Sequence, residues 1–370
     1  MSNSILKYKE RVRQIGKYAK SSILPNTISK NEAEQYCYET LEKVSRSFAV
    51  VIRELRPELR DGVCVFYLSL RALDSIEDDL EIPLSIRLKY LHAFHKHLGD
   101  ESFSLQNIGD HPDYRNLLEN YGLVAKMYNQ LPEPYRNTIH EIASKMGQGM
   151  AYYSQTPVES KHDYNEYCHY VAGLVGMGLS ELFVASGTES KELVDKWEKS
   201  NAMGLFLQKT NITRDFAEDL DSGRFFWPEE IWEKYCNAPS ELQAKPESPE
   251  ALMCLNEMIL NALEHFNECI DYMELLQDKS VFRFCAIPQV MALATLKKLY
   301  NNPLVFTENV KISKKESTKV FLDCNDMQSF LSLCASILDQ WEINGETAID
   351  QSLKVVLKRI AEKNKAALVA

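Results

Sequence analysis

Apolar positions in this chain recur at intervals of three and four over most of its length, and the strict alternation of half-buried strands is almost absent. The spacing predicts an all-α protein. A first helix is expected over Asn31 to Val44, with Asn31 as its cap and Ala33, Tyr36, Cys37 and Leu41 on its apolar side. A short polar turn, Ser45 to Phe48, leads into Ala49 to Glu54. Pro57 then starts a long inner helix and Pro83 ends it. Leu84 to Asp113 reads as one amphipathic helix followed by a loop rich in Gly, Asp and Ser, with a variable surface. Further helices are expected over Tyr135 to Gln155, Tyr167 to Ser180, Gly204 to Asp219, Ala251 to Leu276, Val281 to Tyr300, and about 319–341 and 347–364. Gly223 breaks the pattern, and residues 237–250 and 301–317 read as loops.

Two helical segments carry glycines where alanine would be cheaper. Gly147 and Gly149 lie in one, and Gly173, Gly176 and Gly178 in the next. Each interior glycine costs up to about 1 kcal/mol against alanine, so they mark close helix contacts or space kept for a ligand.

No repeat, linker or composition shift divides the chain. A basic N-terminal extension over 1–30 is therefore expected to precede one all-helical domain over 31–370. With 45% hydrophobic residues in 370, a sizeable core can form. The formal net charge of -11 argues against a nucleic-acid partner. The N-terminal stretch is basic and amphipathic without an apolar signal region, and no run of about 20 apolar residues stands out, so a soluble chain is expected. The nine cysteines are scattered without CxxC spacing, which reads as reduced, buried thiols. His92, His95 and His97 read as surface residues, since no second cluster completes a metal site.

Two strings carry candidate chemistry. In FYLSLRALDSIEDD, Tyr67, Arg71, Asp74 and Asp78 share a helical face, with Glu77 one step around and leucines elsewhere. In GLFLQKTNITRDFAED, the same spacing aligns Gly204, Gln208, Asn211, Asp215 and Asp219, with Arg214 beside them. Should the two faces meet, each like-charge pair at about 5 Å costs on the order of 3 kcal/mol, so the cluster calls for cations or protons. Mg²⁺ is a hard cation of this kind, completing its shell with water and substrate phosphate. Arg46, Arg71, Arg214 and Arg224 would then have a diphosphate to hold. A lone acidic string is more often a solvated face, but two such strings in apolar helices point to a metal–diphosphate site.

These strings resemble the squalene/phytoene synthase family of head-to-head prenyl synthases, and within it the squalene synthases. SRSF, FYLSLRALDSIEDD, YCHYVAGLVG, MGLFLQKTNITRD, FWP and FCAIPQV occur in that order between about Ser45 and Lys315. The resemblance implies a single all-α isoprenoid-synthase bundle around a central apolar cavity, two molecules of farnesyl diphosphate joined to presqualene diphosphate and then reduced to squalene, Mg²⁺, NADPH, and a monomer. It implies that Asp74, Glu77, Asp78, Asp215 and Asp219 bind metal, and that Arg46, Tyr67, Arg71, Asn211, Arg214 and Arg224 hold diphosphate. It further implies that Tyr167 takes the proton lost on cyclopropane closure, with Tyr170 as the alternative, that Phe284 lines the deeper pocket, and that Lys311, Lys314 and Arg224 meet the nucleotide.

Three features depart from the pattern. Ser313 stands where the family often has Arg, and Phe225 replaces an acidic residue. The apolar membrane anchor that usually ends these enzymes is not seen, although the resemblance implies work at the cytosolic face of the endoplasmic reticulum with peripheral membrane contact. The competing readings are condensation without reduction, as in phytoene or dehydrosqualene synthases, and a non-catalytic helical adaptor.

Overall fold

The computed structural model describes residues 31–343, 345 and 347–369, apart from the side chains of Arg46, Ser47 and Val369; the extension expected over 1–30 lies outside the described residues. Helix α1 (Glu32–Val44) opens where the Asn31 side chain accepts from the Ala33 N–H at 3.2 Å, as its sequence predicts. The turn expected at Ser45 is instead the start of α2 (Arg46–Arg53), because the Ser45 hydroxyl accepts from the Phe48 N–H. Pro57 occupies the first turn of α3 (Pro57–Asp78), where its missing N–H costs nothing. That helix ends well before Pro83, which stands instead at the cap of α4 (Leu84–Ala93). The following segment is anchored rather than loose. Phe94 and Phe103 pack edge-on against Tyr121, and Asp79 accepts from the Gly109 N–H at 2.7 Å.

Next come α5 (Pro112–Glu119), α6 (Tyr121–Asn129), α7 (Glu133–Tyr153) and α8 (Lys161–Cys168). A π turn at His169–Gly173 separates α8 from α9 (Leu174–Ala185), so the single helix expected over Tyr167 to Ser180 is interrupted. The cause lies on another helix. His169 Nδ1 sits 2.7 Å from Asn201 Oδ1, and a Cβ at Gly173 or Gly204 would strike Asn201 or the Ala172 carbonyl.

After α10 (Glu192–Asp195), α11 (Trp197–Arg214) runs through the centre and packs against the π turn and α9. It stops at Asp215 and resumes as α12 (Phe216–Asp221), so the helix expected over Gly204 to Asp219 is bent at the carboxylate that Arg214 and Asn309 both hold. Helices α13 (Glu229–Trp232) and α14 (Pro239–Ala244) follow, the latter inside a stretch expected to be loop. The helix expected over Ala251 to Leu276 is split into α15 (Pro249–Leu263) and α16 (Phe266–Leu275), with His265 turned inward onto Lys209 between them. Both halves pack on α11, as does α17 (Lys279–Leu299).

The chain continues through α18 (Lys314–Asp323), α19 (Met327–Asp339) and α20 (Ala348–Val369). One helix was expected where α18 and α19 now stand, and Asp326 starts the second by accepting from the Ser329 N–H. Ser313 takes the same role for α18, in a capping box with Glu316. No strand occurs among the described residues, and one continuous core runs from Cys37 to Ile360, so the fold is a single all-α domain.

All nine cysteines are free and eight are buried. The His92 group forms no metal cluster among the described residues: His97 stacks on Phe103, and His95 meets His140. One stretch, Lys161–Ala185, is long and apolar enough by length and composition to cross a membrane, contrary to the expectation from Glu181. Here it lies within the bundle, with Val171, Val175 and Leu179 on the wall of the main cavity.

Candidate active site

A cavity of about 1100 Å³ lies among α2, α3, α9, α11, α17 and α18. Its α3 wall is the stripe Val63, Phe66, Tyr67, Leu70, Arg71 and Asp74, spaced as one face of a helix. Opposite stand Met203, Gly204, Leu207, Gln208, Asn211 and Arg214 of α11. Both walls grade from apolar to polar toward their helix C-termini. At the apolar end, the Phe284 ring lies 6.3 Å from that of Phe48 and 6.0 Å from that of Phe183.

The polar end joins the two acidic strings. Arg224 pairs with Asp78 of the first string and lies 3.8 Å from Asp219 of the second. Arg71 Nη1 is 3.3 Å from Asp74, and Arg214 grips Asp215 with both Nε and Nη2, at 2.8 and 2.6 Å. Asn309 donates to the same oxygen that accepts from Arg214 Nε, from Nδ2 to Asp215 Oδ1 at 2.6 Å. Carboxylates at helix C-termini are unfavourable, because the partial charge there is already negative. Burial adds to this, and it is the chief cause of the raised carboxylates here. Burial, opposed by Arg71 and aided by the charge of Asp78, pushes Asp74 up to about 7. Burial, opposed by Arg224 and aided by Asp215 and Asp78, does the same to Asp219. Glu77 is pushed well above its ordinary range by burial and by Asp78 and Asp74, and Asp78 is raised chiefly by burial.

The expected residues separate into groups. Tyr67, Arg71, Asp74, Asn211, Arg214, Phe284 and Lys311 line the cavity. Glu77, Asp78, Asp215, Asp219 and Arg224 stand around its polar end, joined to it by the pairs above. Lys314 is exposed at the start of α18, and the side chain of Arg46 lies outside the described residues. Tyr167 is buried but does not line the cavity. It stacks on Phe226 at 4.5 Å, and burial together with Glu77 and Asp78 holds its hydroxyl well above the usual phenol range. Tyr170 turns the other way, filling the space beside Gly149 that a Cβ would occupy. Phe225 packs edge-on against Phe216. Asn309 went unnoticed in the sequence, because it lies outside the basic run of its loop and its partner is 94 positions away.

Among the described residues, no three His, Cys, Asp or Glu side chains form a ready metal-binding group; arginines hold the carboxylates instead. The donor set nonetheless fits Mg²⁺: it is oxygen-only, half-buried and has more carboxylates than arginines, and this ion takes few protein ligands and completes its shell with water and phosphate. Two buried polar atoms at this end, Arg71 Nε and Asn309 Oδ1, have no partner among the described residues, as expected where a polar ligand docks. Lys311 and Ile312 line the cavity, whereas Arg224 is committed to carboxylates.

The chain is similar to known proteins in both sequence and structure. Residues 41–316 match the squalene/phytoene synthase family. The chain is 42% identical over 361 residues to squalene synthase LSS of Botryococcus braunii, covering 96% of this chain and 78% of that protein. It is 48% identical over 289 residues to squalene synthase 1 of Arabidopsis thaliana, covering 77% and 70% respectively. A solved complex of TcSQS with the ligand E5700 superposes with a TM-score of 0.88 at 41% identity, covering 91% of this chain and 100% of that one.

Proposed function

The chain belongs to the squalene/phytoene synthase family, its activity is that of a squalene synthase, and from that premise we propose how its residues divide the work. Two molecules of farnesyl diphosphate enter with their chains along the apolar walls and their diphosphates at the polar end. Arg71, Arg214 and Arg224, with Tyr67, Asn211 and Arg46, hold the diphosphates, where a guanidinium fork matches phosphate oxygens. Asp74, Glu77, Asp78, Asp215 and Asp219 would hold Mg²⁺, which when bound neutralises charge on a leaving diphosphate. Lys311 and Lys314 would meet NADPH, which when bound supplies hydride for the second half-reaction; Arg224, held between Asp78 and Asp219, is left to the diphosphates.

The rest of the work falls to the walls. An allylic cation freed from diphosphate is captured by any water it meets, so the apolar lining excludes water. The face of the Phe284 ring offers a cation about 2 kcal/mol when desolvated. Tyr167, next to the acidic string, receives the proton lost when the cyclopropane closes; its raised pKa means that it needs the departing diphosphate or a rearranged hydrogen bond to act as base. The cytosolic face of the endoplasmic reticulum, taken from the family, is the proposed location, and fractionation of cells expressing the tagged chain tests it.

One observation carries the reading: two acidic strings, joined through Arg224, converge on the polar end of a cavity large and apolar enough for prenyl chains. The test is incubation with farnesyl diphosphate and Mg²⁺, with and without NADPH, and identification of products by mass. Squalene formed only with NADPH is the expected result. Dehydrosqualene formed in the presence of NADPH would replace it with condensation without reduction, and an inert protein without Mg²⁺-dependent ligand binding would remove both.

A further inference from the structure

The cavity shares one residue with a second hollow. Glu54, immediately after α2, lines the apolar cavity and also a polar cleft of about 720 Å³ bordered by Arg56, Asp278, Ser280, Arg283 and Asn325. Arg283 precedes the cavity-wall residue Phe284 but lines only the cleft. Four of its five N–H groups are engaged. Nε donates to Glu54 Oε2 at 3.0 Å, Nη1 to the Cys324 carbonyl at 2.8 Å and to Asn325 Oδ1 at 2.6 Å, and Nη2 to the Phe321 carbonyl at 3.2 Å. It also lies 5.3 Å from the centre of the Phe321 ring.

These partners come from two elements that wall the cavity. Helix α2 contributes Val51 and Ile52, and α18 contributes Thr318 and Phe321. Both helices pack on α17, the helix that carries Arg283. The accepting carbonyls belong to the C-terminal turn of α18, where backbone acceptors lack helical partners and a cation is favoured. Arg283 is 13% exposed and Glu54 35%, so the pair stands between a cleft open to solvent and a cavity that must stay dry.

We propose that Glu54 and Arg283 form a positioning clasp that holds α2 and α18 closed at the apolar end of the cavity and keeps cleft water away from the carbocation. The inference rests on the squalene synthase reading above. Its chemical consequence is a partition. Hydride capture forms a C–H bond and oxidises one NADPH. Water capture forms a C–O bond, passes one proton to the released diphosphate and leaves NADPH unspent. A loosened clasp therefore turns squalene into a C30 alcohol and lowers NADPH oxidised per farnesyl diphosphate consumed.

The experiment compares the full chain with Glu54→Ala, which removes the carboxylate, and Glu54→Gln, which keeps an acceptor for Nε. Arg283→Lys, which keeps the charge but loses the fork, gives the same reading if Glu54→Ala fails to fold. With Mg²⁺ and NADPH, the alcohol share is expected to rise about tenfold in Glu54→Ala and Arg283→Lys and to stay near wild type in Glu54→Gln, while farnesyl diphosphate consumption changes less than about threefold. An unchanged product ratio in the folded variants overturns the clasp. Amide hydrogen exchange over 46–53 and 314–323, faster in Glu54→Ala, reads the clasp without turnover. A wild-type protein that makes no squalene counts against the functional reading, whereas unchanged exchange counts against the clasp.

Discussion

Arg224 pairs with Asp78, 146 positions earlier in the chain, and the same guanidinium reaches Asp219, so one side chain occupies the place between the acidic strings. It competes with any cation that would bridge them. Replacing Arg224 by Gln is expected to lower kcat/KM for farnesyl diphosphate about 100-fold, the loss of roughly 2.7 kcal/mol of charge-assisted hydrogen bonding to diphosphate. Mg²⁺ should at the same time bind the substrate-free variant more tightly, because unneutralised carboxylates face each other. Melting temperature measured against Mg²⁺ concentration checks this. A weaker Mg²⁺ response in the variant would show that Arg224 organises the carboxylates rather than competing for them.

Behind α11 lies a charge that the proposed chemistry does not use. Lys209 is fully buried, with Nζ 2.5 Å from Asn165 Oδ1, 2.6 Å from Asn261 Oδ1 and 2.8 Å from His265 Nε2, and no carboxylate within ion-pair distance among the described residues. Burial pushes its pKa from 10.5 down to about 8, and burial with the Lys209 charge pushes His265 down to about 3. A lysine with a lowered folded pKa is charged at a cost below 8, and the folded state sheds its proton before the unfolded state does. Stability therefore rises with pH between about 8 and 10.5 relative to a variant without the amine. Denaturant unfolding of wild type and Lys209→Met across that window should show wild type gaining on the order of 3 kcal/mol on the variant. A constant difference would mean that Lys209 keeps its proton through the fold.

Both acidic strings and the long helix α3 were legible in the sequence, because Tyr67, Arg71, Asp74 and Asp78 recur at helical spacing and Pro57 marks the start. Caps at Asn31 and breaks at single residues are likewise local signals. The structure departs from the expected helices where a distant group sets the backbone. Asn201 holds the π turn from 32 positions away, Lys209 holds the His265 break from 56, and Asn309 holds the bend at Asp215 from 94. Periodicity measures only a residue's neighbours within a few turns, so none of these could be read from it. Tyr167 shows the same limit: its role comes from the resemblance alone, and only packing places it against Phe226 rather than on the cavity wall.

The glycines of α9 and α11 mark a backbone contact that tolerates no side chain. A Cβ on Gly204 would meet the Ala172 carbonyl, and one on Gly176 the Ser200 carbonyl. Gly204→Ala regains up to about 1 kcal/mol of helix propensity but forces the π turn away, at a cost of about 1–3 kcal/mol. A net loss of about 1–2 kcal/mol is expected in denaturant unfolding. Since Ala172 lines the cavity, KM for farnesyl diphosphate should rise with it. A variant as stable as wild type would mean that the turn yields without cost.

The proton acceptor can be separated from its neighbour by the same packing that hides it. Tyr167 lies against Phe226 at 4.5 Å and feels Glu77, Asp78 and Asp74, while Tyr170 occupies the space beside Gly149 on another side of the turn. Removing the hydroxyl leaves both rings in place, so Tyr167→Phe and Tyr170→Phe test chemistry more than folding. Loss of a general base costs typically about 100- to 10,000-fold, and that loss in presqualene diphosphate formation is expected for Tyr167→Phe, with Tyr170→Phe within a few-fold of wild type. Single-turnover analysis of farnesyl diphosphate consumption isolates the step from reduction. The opposite ranking would transfer the role to Tyr170. Equal, small effects in both would leave proton removal to the released diphosphate, which on the proposed division of work lies against Arg71, Arg214 and Arg224.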